Sequence, residues 1–91
     1  MKWLEIIKLR SAGINPGLLE ELSLSFDKVS QWGLLEMKTY HHASLGTDLS
    51  VHLIWESERP ERNGSSLGLR IAQALKEFGL TDHSIWVEEE K

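Results

Sequence analysis

The segment Asp48-Leu49-Ser50-Val51-His52-Leu53-Ile54-Trp55-Glu56-Ser57 alternates its residue types more cleanly than any other stretch of the chain. Side chains on a strand point alternately to opposite faces, so this spacing predicts a β-strand with two separate duties. Val51, Leu53 and Trp55 share one face, and His52, Ile54 and Glu56 share the other. The second set mixes an imidazole, an aliphatic group and a carboxylate. Such a strand belongs inside a sheet, with material packed on both sides.

The neighbouring segments fit that requirement. Trp3 to Ser11 is predicted as a strand with apolar residues on both parities: Trp3, Glu5, Ile7 and Leu9 on one, Leu4, Ile6, Lys8 and Arg10 on the other. This pattern suits a central strand. Asn15-Pro16-Gly17 opens a helix, because Asn15 can cap the first turn and Pro16 is preset for the first helical position. Leu18, Leu22, Phe26 and Val29 recur at helical spacing before Gln31-Trp32-Gly33 ends the segment. Leu34 to His42 is a second strand, with Leu35 and Met37 opposed to Glu36, Lys38, Tyr40 and His42. Ala43 to Thr47 connects it to the strand at Asp48 as a hairpin. Glu58 to Gly64 is a polar loop, and Ser65 or Ser66 caps a second helix with the stripe Leu67, Ile71, Leu75 and Phe78. Gly79 is expected as its left-handed terminal residue, and His83 to Glu88 as the last strand.

The order β-α-β-β-α-β over a single domain, residues 1–91, predicts an α+β fold: a ferredoxin-like βαββαβ sandwich. Its four-stranded antiparallel sheet would have the first and third strands central and two helices on one face. Leu35, Met37, Val51, Leu53, Trp55, Ile85 and Val87 would meet the helices. On the other face, Leu4, Ile6, Ile54 and Trp86 form an apolar centre ringed by charge. An uncovered patch of that kind marks an interface or a ligand groove, so a twofold homodimer is expected.

Composition supports association and excludes several functions. Ninety-one residues without cysteine have no disulfides, thiolate metal site or thiol nucleophile, and a core this small gains from oligomerising. The four tryptophans supply large units of burial. A net charge of −4 argues against nucleic acid as a partner, which would call for a basic stripe. No run approaches the roughly 20 apolar residues of a membrane span, and no leader-like apolar region follows Met1, so a cytoplasmic location without membrane contact is expected.

Gly33-Leu34-Leu35-Glu36-Met37-Lys38-Thr39-Tyr40 and the strand exit Trp55-Glu56-Ser57, in this order of elements, resemble the dimeric α/β-barrel superfamily. Within it, the antibiotic-biosynthesis-monooxygenase-like domains are most similar. The resemblance spans nearly the whole chain and implies the fold and a cavity beneath the sheet. The helix after Trp55-Glu56-Ser57 lacks the histidines often present in that group, and the first strand lacks the asparagine of haem-degrading relatives. No catalytic residue carries over.

The residues themselves offer one candidate pocket. In a regular hairpin Tyr40 is expected opposite His52, and Glu36 opposite Glu56. Tyr40, His52 and Arg10 would then face an apolar floor of Ile6, Ile54 and Trp86, a composition typical of small-molecule sites. An anionic or phenolic aromatic ligand would suit it. His52 has two readings: a general base or ligand-orienting donor, or a structural histidine bonded across the dimer seam. No metal is expected, since adjacent His41 and His42 point to opposite faces, and no cofactor motif is present. The Arg59–Ser66 segment could offer amides and two arginines to an anion, act as a lid, or remain a solvated loop. Function then divides into two classes. One is a small-ligand binding protein, with a metal-free oxygenase or isomerase as its enzymatic form. The other is an interaction module whose open sheet face is only a seam.

Overall fold

The computed structural model describes residues 1–11 and 31–89. Strands β1 (Lys2–Ser11), β2 (Leu34–His41), β3 (Asp48–Glu56) and β4 (Gly79–Val87) form one antiparallel sheet in the order β2-β3-β1-β4. Helix α1 (Ser66–Leu75) continues into a 3-10 turn, Lys76–Phe78. The fold is α+β, with β1 and β3 central as expected, and α1 is the only helix among the described residues. The expected helix from Asn15 to Val29 lies outside them.

The alternation that defined β3 decides the core. Leu49, Val51, Leu53 and Trp55 are buried, as are Trp3, Ile7 and Leu9 beside them on β1. Helix α1 covers this layer with Leu67, Ile71, Ala72 and Leu75, which recur at the spacing of one helical face. The indoles of Trp3 and Trp55, directly paired across β1 and β3, stack at 5.5 Å and 15°. The other two tryptophans do not serve the core: Trp86 is 58% exposed and Trp32 96%.

Three local expectations are corrected. A β-bulge between Leu34 and Glu36 places Leu34 opposite Trp55, so Leu34 packs on the core and Leu35 turns outward, 54% exposed. The irregularity follows Gly33, which holds φ +91, while its carbonyl accepts from the Glu56 amide at 2.8 Å. Second, β4 begins at Gly79, not His83, because Leu80, Thr81 and Asp82 pair with Arg10, Leu9 and Lys8. Gly79 does not cap the helix in a left-handed conformation; it lies against Ser11, where a Cβ would run into the Arg10 carbonyl. Third, Val87 sits at the end of an edge strand, half exposed, instead of meeting α1.

Candidate functional site

The register builds the open face row by row. Glu36, Ile54, Leu4 and Trp86 form one row across the four strands, and Lys38, His52, Ile6 and Ser84 the next. Tyr40, Ser50, Lys8 and Asp82 follow, and Asp48 and Arg10 continue toward Leu80. Alternation thus collects Leu4, Ile6, Ile54 and Trp86 into one apolar bed, as expected. The first three are half-buried and Trp86 is exposed.

Beside this bed, at the end of the sheet where β1 finishes and β3 begins, lies a cavity of about 440 Å³. Lys8, Arg10, Tyr40, Ser50, Leu80 and Asp82 line it from all four strands. Asp48 and His42 add to the lining, as do His41, Leu49, Leu9 and Thr81 at the alternate positions between these rows. Of the expected pocket residues, Arg10 and Tyr40 line the cavity, whereas His52 lies on the next row and Ile54 and Trp86 one row beyond it. The pairing of Tyr40 with His52 is corrected: Tyr40 lies opposite Ser50, and Glu36 opposite Ile54. Connection length sets this register. The His42 amide bonds the Asp48 carbonyl at 3.0 Å, closing a five-residue loop, 43–47. His42 Nδ1 accepts from the amides of Ser44 and Leu45 at 3.0 and 2.9 Å and so holds the connection together.

Tyr40 and His52 still touch as diagonal neighbours, with ring centroids 4.7 Å apart at 57°. His52 Nε2 is 2.8 Å from Ser50 Oγ. Burial first, and the Lys8 ammonium second, hold its pKa below 6.5, so the imidazole is neutral at pH 7. Arg10 is less a fixed cation of the pocket than expected: its side chain is 75% exposed, and Nε lies 3.6 Å from Asp48. Lys8 is the cation at the centre, and no carboxylate pairs with it among the described residues. Its position between Arg10 and Ile6 on the open parity was the available signal.

A second polar cluster lies on the opposite, helix-covered face. Glu5 is fully buried among Trp3, Ile7 and the first turn of α1. Its Oε1 accepts from Trp55 Nε1 at 3.1 Å and from Ser65 Oγ at 2.6 Å. Its Oε2 accepts from the Ser65 amide at 3.0 Å and meets His83 Nε2 at 2.6 Å. Ser65 Oγ in turn caps α1 by accepting from the Gly68 amide at 2.9 Å. Gly64 and Gly68 make room: a Cβ at Gly68 would collide with the Glu5 carboxylate, and one at Gly64 with the His83 ring. The anion expected at this helix start is therefore the chain's own Glu5. The loop before it runs to the helix side of the sheet, and none of its residues lines the cavity, so it is not a lid. Sequence reading placed Glu5 on the apolar parity without assigning it a role; a carboxylate there was the signal.

Among the described residues no three histidine, aspartate or glutamate side chains converge on one point, and no helix is long and apolar enough to cross a membrane. Comparison of the chain with protein-family models, characterised proteins and solved structures finds no match.

Proposed function

We propose that this protein is a homodimer of ferredoxin-like βαββαβ subunits, of the dimeric α/β-barrel kind, that binds a small, partly apolar, acidic ligand at the open sheet face. The observation that carries the ligand is the cavity around Lys8. Its 440 Å³ falls in the roughly 300–1,000 Å³ range of small-molecule sites. Lys8, which makes no ion pair among the described residues, lines it with the Tyr40 phenol and the Ser50 hydroxyl, alongside Arg10, Asp48 and Asp82 and beside an apolar bed. A carboxylate or phenolate could rest on Lys8 while its apolar body extends over Tyr40 toward Ile6. In an enzymatic form of this reading, His52, in contact with the Tyr40 ring beside the cavity, is a candidate neutral base. What supports the dimer is the bed itself, because Trp86 and the half-buried Leu4, Ile6 and Ile54 form a contiguous surface that one subunit leaves open. Strand order 2-3-1-4, with β1 and β2 parallel on either side of β3, is the order that a βαββαβ sandwich calls for and supports that reading.

The interaction-module reading rests on the open sheet face, with Trp86 exposed beside Leu4, Ile6 and Ile54, and needs no ligand. A screen of small aromatic and aliphatic acids by calorimetry separates the two. Saturable binding that is lost in Lys8→Ala supports the ligand site, and absence of any binding by the wild-type dimer leaves only the seam. Ile54→Asp places an unpaired charge in the bed and is expected to weaken the dimer at least about a hundredfold. Sedimentation that gives the same dimer for this variant, or a wild-type monomer, would overturn the assignment of the face.

A further inference from the structure

The charges of the open face specify how a second copy would sit on it. β1 and β3 are the two central strands, and at both ends of their pairing a cation on β1 stands opposite a carboxylate on β3. Lys2 is paired with Glu56, and Arg10 with Asp48. Between these ends the pairs are Leu4 with Ile54, Ile6 with His52, and Lys8 with Ser50. A twofold axis between two facing sheets has two simple directions. An axis across the strands inverts the order along β1 and β3, which sets Arg10 over the partner's Lys2 and Asp48 over the partner's Glu56. An axis parallel to the strands, above the line between β1 and β3, instead exchanges the two columns and keeps every row. Lys2 then faces the partner's Glu56, Arg10 the partner's Asp48, and Leu4 the partner's Ile54.

We propose that the dimer of the preceding section is built on this second axis, so that each β1 residue lies over the partner's copy of the β3 residue with which it is already paired. The inference rests on the dimer reading and adds its geometry. Each end of the seam becomes a square of two cations and two carboxylates, and the apolar rows fill the middle. Opposite charges across an interface favour the right partner and orientation, while like charges in register oppose it. Both axes leave the strands of the two sheets aligned, as packed sheets commonly are, so the charges alone decide between them. His52 faces the partner's Ile6, a contact suited to the neutral imidazole that burial and Lys8 maintain. The two cavities end on the same side of the seam, where the Tyr40 phenol of one subunit faces the partner's Asp82. The ligand site would then be completed by both copies.

Mixing of two charge-reversed chains tests the axis. Lys2→Glu alone and Glu56→Lys alone each put like charges across both symmetry-related contacts between residues 2 and 56, at one end of the seam, and each is expected to raise the dimer Kd about tenfold or more. In a one-to-one mixture, residue 2 of either chain meets an opposite charge at residue 56 of the other. Sedimentation is then expected to show heterodimers of near wild-type affinity, although the pair within each sheet stays mismatched. The double variant K2E/E56K restores both sets of contacts and serves as the folding control, read by circular dichroism. Weakened single variants that do not recover on mixing would overturn the axis and leave the dimer standing, as would single variants that dimerise like wild type. A monomeric wild type would overturn both.

Discussion

Glu5 and Lys8 both belong to β1, yet their side chains meet opposite conditions. Glu5 points under α1, where each carboxylate oxygen has two partners and neither has room for a third. Lys8 points into an open cavity beside a phenol and a hydroxyl, with no carboxylate paired to it among the described residues. A carboxylate has about four acceptor positions, so Glu5 has no capacity left for a ligand. It acts within the fold, joining β1, β3, β4 and the start of α1, elements that local sequence cannot hold together. Lys8 contributes little to the fold and keeps its capacity for something from outside. Saturation, more than charge or burial alone, separates the group that holds the structure from the group that can bind.

The contrast can be broken from the buried side first. Glu5→Ala leaves Trp55 Nε1, the Ser65 amide and hydroxyl, and His83 without their acceptor, and is expected to destabilise by about 3–5 kcal/mol. Urea unfolding reads the loss as a lower midpoint, and a shift under about 1 kcal/mol would mean that water replaces the carboxylate easily. Gly68→Ala comes next, at about 1–3 kcal/mol. The helix gains propensity from alanine, but its Cβ meets a carboxylate that four bonds hold in place. Lys8→Ala sharpens the comparison from the open side: stability should stay within about 0.5 kcal/mol of wild type while affinity for an acidic ligand falls about tenfold. The smallest effect concerns His52. Its pKa is lowered in the folded chain, so below 6.5 the unfolded chain takes up the proton more readily. Wild type should therefore lose stability relative to His52→Asn as pH falls through the window beneath 6.5, and match its pH trend above it. Parallel pH profiles of the two proteins would remove this contribution.

Much of the open face was legible because it depends on alternation alone. Once β3 was recognised, parity placed Ile54 and His52 together, and the order of elements placed Leu4, Ile6 and Trp86 beside them. The expected connection, 43–47, is the one found, and counting back from it sets Tyr40 opposite Ser50; the pairing with His52 is two residues out of register, a slip that alternation does not reveal because it leaves parity unchanged. The bulge at Leu34–Glu36 does change parity, and so Leu35 was assigned to the wrong face. Glu5 was visible as a charge among buried neighbours, but Trp55, Ser65 and His83 lie 50, 60 and 78 residues away in sequence. No local pattern connects them. Gly64 reads only as the end of a polar loop, and the room that it and Gly68 leave is apparent only beside Glu5 and His83.

The bulge on β2 has one more consequence. β2 is an edge of the sheet, and an unbroken edge offers a row of free amides and carbonyls to any extended strand from another molecule. Here that row is interrupted at Leu34–Glu36 and flanked by the exposed charges of Glu36 and Lys38, 3.3 Å apart. Strand-by-strand growth of the sheet is discouraged at this border. A border of this kind disfavours open-ended stacking, as the closed, face-to-face dimer proposed above requires.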